Sequence, residues 1–321
     1  MTLIDELVVG QSICSTFLVT AASIRQTNTK PPRDYLTVTL SIKNTSMEGR
    51  IWNWPGGTVP EINKLYVVWG VVGSYNDKKQ LTMTKMELSI HQDLTDYVAS
   101  IGIAGDVLWE SLMEMLQLVE NPKLKRVVAY CYGLNKEAIL QTSGGKVMHH
   151  VGIGGAALHT LEVCANARQL ALANEHLALD MSLVVSGALI HDIGKLATYS
   201  QDIGTITYTV DGMLLEHIGL GQNMLQMALI HLGDDYIEEI KLLQHIILSH
   251  HGELEWGSPV TPKFMEAYII HWADNISAKL AMLDEANKQV SAEATTTQRV
   301  YGLGNREHLT QSFVHSVLNK E

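Results

Sequence analysis

The chain has 321 residues, of which 46% are hydrophobic and 18% are charged, and it carries a net charge of −11. This composition excludes a disordered or fibrous protein, and the length is sufficient for two domains. We expect neither a signal peptide nor a membrane span, because no apolar run is long enough to cross a bilayer. Three widely spaced cysteines without a CxxC pair indicate free thiols and a cytoplasmic protein.

Charge is distributed unevenly along the chain. The first 90 residues contain nine basic and seven acidic residues, whereas the remainder carries a net charge of −13. Such asymmetry is typical of two functional units. We therefore predict two domains, residues 1–92 and residues 93–321.

The first domain has the residue pattern of a small β-barrel. Five runs rich in β-branched and aromatic residues alternate with period two and are separated by turn residues. These runs cover residues 12–25, 35–44, 49–54, 64–75 and 80–88. Five short strands in this length favour an all-β OB-fold barrel.

The loops of this predicted barrel carry residues suited to nucleic acid. OB-folds bind oligonucleotides across strands 2 and 3 and at the loops that join strands 1–2 and 4–5. Basic side chains in these loops could contact a phosphate backbone, and nearby aromatic rings could stack on bases. The candidates are Arg25, Lys30, Arg33, Trp52, Trp54, Tyr75, Lys78 and Lys79. In the alternative interpretation, the aromatic residues belong to the barrel core and the lysines are solvated turn residues.

After Leu94 the hydrophobic period becomes helical, which predicts an all-α second domain. Asn, Asp, Gly and Pro residues mark many of the predicted helix ends. The predicted helices cover residues 104–120, 123–134, 135–142, 153–173, 179–193, 213–231, 234–251 and 262–288.

Eleven of the fourteen histidines lie between His149 and Asp274, on apolar helical faces or near helix ends. A single buried histidine is usually satisfied by its neighbours, but several together are difficult to satisfy without a further partner. A divalent cation would serve them all, and Asp192 and Asp274 would add negative charge. Since no cysteine belongs to the set, a catalytic site is favoured over a structural zinc site.

The order of these residues resembles a known family. His159, then His191 and Asp192 in "HDIGK", then Asp274 is the pattern of the HD-domain metal-dependent phosphohydrolases. His217 and the string "SHHG", with His250 and His251, resemble the members of that family that hold two metal ions. In those members the aspartate of the HD pair bridges both ions.

Most of the chain resembles the YhaM-type bacterial 3′–5′ exoribonucleases. The similarity includes an OB-fold ahead of the HD domain and the strings "HHVGIGGAALHT" and "LQHIILSHHGELEWGSP", and it extends to "RVYGLGNR". It implies use of manganese, action on RNA and often on single-stranded DNA, and release of nucleoside monophosphates. One departure is "PGGTVPEINK" between strands 3 and 4, where OB-folds often have a helix but where glycine and proline disfavour one.

We assign ligands and roles on this basis. His159, His191, Asp192 and Asp274 would hold the first ion, and His217 with His250 or His251 the second, with Asp192 shared. Lys195 lies one helical turn after Asp192, so on a continuing helix both side chains would share a face. We assign both to catalysis, with the Lys195 ammonium at the scissile phosphate. The alternative for Lys195 is a solvated lysine at a helix end.

His149 and His150, just ahead of "GIGG", are expected on the substrate side of the site, and the alternative is a pair of exposed loop histidines.

Three functions fit these features. In the first, the barrel captures single-stranded RNA, or DNA, and feeds its 3′ end to the HD site for hydrolysis. In the second, the same ligands hydrolyse small nucleotides or cyclic dinucleotides. In the third, the protein binds single strands without catalysis. The basic loops favour the first, while the identity and number of the metal ions and the formation of a homo-oligomer stay open.

Overall fold

The computed structural model describes residues 4–43, 45–54, 56–76, 78–94, 96–98, 100–145, 152–200 and 206–319. The described chain divides into two compact units, the first ending at Ser100 and the second beginning at Ile101. Within these residues, no helix combines the length and the apolar character that a membrane crossing needs.

The first unit is the five-stranded barrel expected from the sequence. The strands close in the order β1-β2-β3-β5-β4, in which β3 and β5 pair in parallel and the other pairs are antiparallel. They are β1 (Ser12–Gln26), β2 (Asp34–Ile42), β3 (Thr45–Ile51), β4 (Lys64–Tyr75) and β5 (Lys78–Leu88). The described residues between β3 and β4 form no helix, in agreement with the glycines and prolines there.

Alternation of side chains explains how the strands form this barrel. Leu36, Val38 and Leu40 of β2 point into the core with Phe17 and Leu81, and all five are fully buried. In β1 the register shifts between Val19 and Ala21, where a bulge bends the strand so that it pairs with both β2 and β4.

The second unit is helical, as predicted. Its helices are α1 (Gly105–Gln117), α2 (Pro122–Gln141), α3 (Gly155–Ala173), α4 (Met181–Ile190), α5 (Lys195–Thr198), α6 (Val210–Leu232), α7 (Ile237–Ser249), α8 (Met265–Lys288) and α9 (Gln311–Leu318). The two predicted helices at 123–134 and 135–142 are one element, α2, with a kink at Asn135. The side-chain Nδ2 of Asn135 donates to the Cys131 carbonyl, which occupies a helical acceptor at the kink.

Helix α4 lies at the centre of this unit. Every residue from Ser182 to Ile190 is buried, which explains why the helix is apolar on all faces. The Asp180 carboxylate caps its start by accepting from the Leu183 amide at 2.8 Å. The helix ends at Ile190, so the two buried polar residues that follow, His191 and Asp192, lie directly at its C-terminal end.

Candidate metal centre

The structure brings all seven residues predicted as metal ligands into one cluster. Five helical segments supply them: His159 comes from α3, His191 and Asp192 follow α4, His217 comes from α6, His250 and His251 follow α7, and Asp274 comes from α8. Residues separated by more than 100 positions in the sequence therefore share one site.

The Asp192 carboxylate stands at the centre of this cluster, and its two oxygens face different groups. Oδ2 lies 3.4 Å from His159 Nε2 and 3.3 Å from His191 Nε2. Oδ1 lies 3.6 Å from both His217 Nε2 and His250 Nε2. One carboxylate thus connects two sets of imidazoles, which is the arrangement that a bridging ligand requires.

Two groups of ligand atoms result. In one group, the ligand atoms of His159, His191 and Asp192 lie within 4.8 Å of one another. Asp274 extends this group through Oδ1, which lies 3.0 Å from His159 Nε2. The second group consists of His217, His250 and His251, whose ligand nitrogens also lie within 4.8 Å of one another.

Main-chain carbonyls fix the tautomer of three of these rings. Nδ1 of His191 donates to the Ala188 carbonyl at 2.7 Å, and Nδ1 of His250 donates to the Ile247 carbonyl at 2.8 Å. Nδ1 of His251 donates to the carbonyl of Trp256 at 3.1 Å. A carbonyl can only accept, so each neutral ring carries its proton on Nδ1 and keeps a lone pair on Nε2 for a cation.

His159 is oriented by a relay of side chains. Its Nδ1 lies 3.0 Å from the Ser277 hydroxyl, which donates its single proton to Glu162 Oε2 at 2.7 Å. Ser277 must therefore accept from Nδ1–H, which leaves Nε2 as the atom that faces the carboxylates. The sequence analysis did not identify Ser277 or Glu162, although each follows a predicted ligand by three positions, about one helical turn.

Two buried nitrogen atoms test whether a cation fits here. Nε2 of His217 and Nε2 of His250 are buried and have no hydrogen-bond partner in the part of the chain that the structure describes. Such orphaned acceptors are costly unless something binds them. Atoms that share a cation at roughly 2.0–2.2 Å lie about 3.0–3.5 Å apart, close to the separations around Asp192. The donor set therefore fits a divalent cation of the imidazole-binding kind.

Burial and charge set the protonation of the cluster. Burial lowers the pKa of His217 to about 4 and holds that of His250 well below its usual value, so both rings are neutral. Burial also acts to lower the pKa of His159, but its hydrogen bonds with Asp192 and Asp274 raise it to about 8. For Asp192, burial acts to raise the pKa, but the positive charge of Lys195 and the neighbouring histidines hold it well below normal. Both carboxylates are therefore ionised.

A glycine allows the HD motif to approach α6. A Cβ atom on Gly194 would lie 1.8 Å from the His217 carbonyl oxygen and 2.5 Å from the Gly221 nitrogen. No side chain fits between these two stretches of backbone. His217 itself follows a break in α6, where Glu216 has a φ of 52°. Glycine and this local strain together turn His217 toward Asp192.

Lys195 does not lie on a continuation of α4, which was the condition attached to its predicted meeting with Asp192. The chain makes a tight turn after Ile190, in which the Lys195 amide donates to the Asp192 carbonyl at 2.9 Å, and α5 starts at Lys195. The two side chains nevertheless meet, since Nζ lies 2.6 Å from Asp192 Oδ2. Nζ also donates to the Gly144 carbonyl at 2.8 Å. Lys195 is thus held in place by two contacts and is not a solvated helix-end lysine.

The barrel has a separate surface cluster of aromatic rings around one arginine. Arg50 Cζ lies 5.7 Å from the ring centre of Tyr35, 5.5 Å from that of Trp52 and 5.7 Å from that of Tyr75. Tyr35 and Trp52 also contact each other at 4.7 Å. We call these four residues the arginine–aromatic cluster. The sequence analysis identified Trp52 and Tyr75 but missed Tyr35 and Arg50, which lie on strands β2 and β3.

The other barrel residues predicted to bind nucleic acid differ in their placement. Arg25, Lys30, Arg33 and Lys78 are exposed. Lys79 instead donates to the main-chain carbonyls of Ile4 and Asp5.

Trp54 packs against the barrel core, with its Nε1 buried, so it is not an exposed stacking surface. His149 and His150 lie outside the described residues.

Part of the helical unit matches a known protein family. Residues 157–279 match the family model described as the HD domain. This stretch contains all seven residues of the cluster, and HD domains point to metal-dependent phosphohydrolases. The helical unit therefore holds an HD domain, and its histidines and aspartates form a candidate site for divalent metal.

Proposed function

We propose that this protein is a metal-dependent 3′–5′ exoribonuclease that hydrolyses single-stranded RNA, and also single-stranded DNA, to nucleoside monophosphates. The observation that carries the proposal is the position of Asp192 between two groups of ligand nitrogens. Such a site suits phosphodiester hydrolysis because paired cations can act on the attacking oxygen and on the phosphoryl oxygens.

In this proposal the side chains of the cluster are assigned to two cations. His159, His191, Asp192 and Asp274 would hold the first cation, and His217, His250 and His251 would hold the second, with Asp192 available to both. A divalent cation bound there supplies positive charge for the phosphoryl oxygens and lowers the pKa of water. The resemblance to YhaM-type enzymes supports manganese, and the imidazole and carboxylate ligands are compatible with it.

Lys195 serves the bridging carboxylate. Its ammonium lies 2.6 Å from Asp192 Oδ2, which keeps that oxygen ionised and oriented. Of its three N–H donors, one is directed to Asp192 and one to Gly144, so the third can contact a phosphate oxygen. The proposed role of Lys195 therefore combines positioning of Asp192 with contact to the substrate.

The barrel supports a polymeric substrate over a small one. Trp52 and Tyr75 are exposed by 42% and 60% and present rings on which bases can stack. Arg50 is held among these rings and pairs with Glu48, while Lys78 at the start of β5 and Arg33 in the loop before β2 are exposed positive charges. Direction of degradation is taken from the similarity to the YhaM-type enzymes.

The test uses an RNA with a single-stranded 3′ tail, labelled at its 5′ end and incubated with the full-length protein and Mn²⁺. We expect a ladder that shortens from the 3′ end and free nucleoside monophosphates. The test variant is Asp192→Asn. Its matched control is Asp284→Asn, since Asp284 is an exposed carboxylate paired with Lys288. Cleavage by the Asp192 variant at the wild-type rate would contradict the metal assignment.

The same assay separates the alternative function. A cyclic dinucleotide and a nucleoside triphosphate are offered in parallel with the RNA. Turnover of these small substrates without shortening of the RNA would indicate a small-nucleotide phosphohydrolase and would reject the exonuclease. Binding of RNA without turnover of any substrate, with Mn²⁺ bound, would indicate a single-strand-binding protein.

A further inference from the structure

A pocket of about 790 Å³ opens from the metal cluster in the helical unit. Its lining includes Asp192, His250 and Asp274 of the metal cluster together with Gly302–Gly304 and Arg306 of the C-terminal segment. Its volume falls within the range typical of small-ligand sites. The segment after residue 279 lies outside the HD-domain match, so this wall of the pocket is additional to that domain.

The lining residues outside the metal cluster differ from it in charge. Asp192 and Asp274 are the only carboxylates among the lining residues that the structure describes, whereas Lys279 and Arg306 supply positive charge. Neither Lys279 nor Arg306 has a carboxylate within ion-pair distance in the described chain. This is notable because the chain beyond residue 90 carries a net charge of −13. Two uncompensated cations in an acidic domain favour an anionic ligand.

Trp256 provides an aromatic face beside these cations. Its side chain is 52% exposed and lines the pocket, and Lys279 Nζ lies 5.5 Å from its ring centre. The Trp256 carbonyl accepts from His251, a proposed ligand, so the main chain of Trp256 is held directly next to the cluster. An indole face and two cations in one pocket match the two parts of a nucleotide, its base and its phosphate.

The C-terminal segment of the pocket wall is held by main-chain hydrogen bonds. The Val300 amide donates to the Arg306 carbonyl at 2.9 Å, and the Asn305 amide donates to the Val300 carbonyl at 3.0 Å. Between them the chain forms a short turn of helix at Tyr301–Leu303 and passes through Gly304, whose φ is 76°. Further along, the Gln311 amide donates to the Asn287 side chain at the end of α8, the helix that carries Asp274 and Lys279.

His308, on the same wall, adds an independent observation. It lines the pocket, and its Nε2 atom is buried without a hydrogen-bond partner among the residues described. The main chain around it is fixed, because the Thr297 amide donates to the His308 carbonyl at 2.8 Å. An unpartnered polar atom in a fixed wall is consistent with a site that a polar ligand completes.

We propose that this pocket binds the nucleoside 5′-monophosphate unit at the end of the strand, with Trp256 stacking on the base and Lys279 and Arg306 pairing with phosphate oxygens. The inference rests on the proposed function and extends it, since it places the terminal nucleotide and the released monophosphate in a pocket completed by the C-terminal segment. Because stacking recognises any base, the pocket accepts all four nucleotides.

The test measures binding of adenosine 5′-monophosphate to the full-length, Mn²⁺-loaded protein by isothermal titration calorimetry. We expect saturable binding to the wild type, weakened about tenfold or more by Arg306→Ala and by Trp256→Leu. Trp256→Phe should recover part of the affinity, and both variants keep the main-chain carbonyl that holds His251. The matched control is Arg299→Ala, because Arg299 is exposed in the same segment and does not line the pocket.

Two further measurements distinguish this inference from the proposed function. The variants should bind Mn²⁺ like the wild type and unfold at the same temperature, and Arg306→Ala should raise KM for single-stranded RNA. Wild-type RNA cleavage together with unchanged monophosphate affinity in Arg306→Ala and Trp256→Leu would overturn the pocket. Absence of monophosphate binding in the wild type would also overturn it. Tight, Arg306-dependent monophosphate binding without any RNA cleavage would support the pocket and reject the exonuclease.

Discussion

Lys195 Nζ and Asp192 Oδ2 lie 2.6 Å apart, and the same carboxylate oxygen faces His159 and His191. The ion pair is nearly enclosed, with exposed side-chain fractions of 12% for Lys195 and 8% for Asp192. An ionised carboxylate is costly to bury alone, and Lys195 offsets that cost while leaving Oδ1 to the second histidine group. Lys195 thus contributes to the bridge even though it is not itself a metal ligand.

The first prediction concerns this bridge. Asp192→Asn should reduce hydrolysis of single-stranded RNA by at least about 10³-fold, roughly 4 kcal/mol in the barrier, because the amide removes the negative charge shared by both ligand groups. Binding of single-stranded RNA by the barrel should change little. Hydrolysis is followed on labelled RNA, and binding by fluorescence anisotropy. A parallel loss of RNA binding would instead indicate that the variant is misfolded.

The second prediction concerns the relay that orients His159. Ser277→Ala removes the acceptor of Nδ1–H and should weaken Mn²⁺ binding or activity by about 10- to 100-fold, the usual effect of losing an outer hydrogen bond to a ligand. Calorimetric titration with Mn²⁺ measures the change. Ser291→Ala, at an exposed serine, serves as the control. Equal Mn²⁺ affinities and equal activities in both variants would show that the relay does not orient the His159 ring.

The third prediction concerns the arginine–aromatic cluster. Trp52→Ala should weaken single-strand binding by about 1–3 kcal/mol, since the exposed indole is a stacking surface. Trp52→Phe should keep most of the affinity, because a ring remains. Affinities are compared by anisotropy with a short oligonucleotide. If both variants bind as tightly as the wild type, bases do not stack at this cluster.

The fourth prediction compares Lys78, which has no ion pair among the described residues, with a lysine that is already paired. Lys78→Ala should weaken RNA binding and lower the slope of log affinity against log salt by about one, as expected for one lost phosphate contact. Lys85→Ala is the control, because Lys85 already pairs with Glu87 at 2.6 Å and lies over Trp69. Titrations at several salt concentrations give both slopes. A larger effect from Lys85 than from Lys78 would reverse the proposed location of the phosphate contacts.

The fifth prediction concerns the three cysteines. Burial raises the pKa of the Cys131 thiol to about 12 and raises that of Cys164 strongly, so neither forms thiolate at pH 8. Cys14 is exposed. A thiol reagent at pH 8 should therefore modify one cysteine quickly in the folded protein and all three after denaturation. Rapid modification of two or three thiols in the native state would contradict the buried environment.

Periodicity was sufficient to predict the elements, because alternation of apolar residues directly reflects which faces are buried. It placed strands β1, β4 and β5 within two residues of their observed ends and located the kink of α2 at Asn135. The clustering of the candidate ligands was also predictable, since His and Asp residues on apolar helices have no other inexpensive partner. Trp54 shows the limit of the method, because a tryptophan at a strand end can turn inward or outward without changing the pattern.

Contacts formed by the main chain could not be read from the sequence. The carbonyls of Ala188, Ile247 and Trp256 set the histidine tautomers, but any residue type can supply a carbonyl. The same holds for the Gly144 carbonyl that holds Lys195. The turn after Ile190 was missed for a related reason, since Gly194 adopts ordinary helical angles and is required by its surroundings.

Gly194 determines how closely the two candidate ligand groups approach each other. The backbone of the HD turn contacts the backbone of α6 directly at Gly194. Even a methyl group at position 194 would overlap the His217 carbonyl. This residue therefore acts as the spacer between the two ligand groups. A larger residue would force α6 outward and carry His217 away from Asp192, while His159, His191 and Asp274 keep their places. The absence of a side chain at position 194 thus keeps the second candidate ligand group close to Asp192.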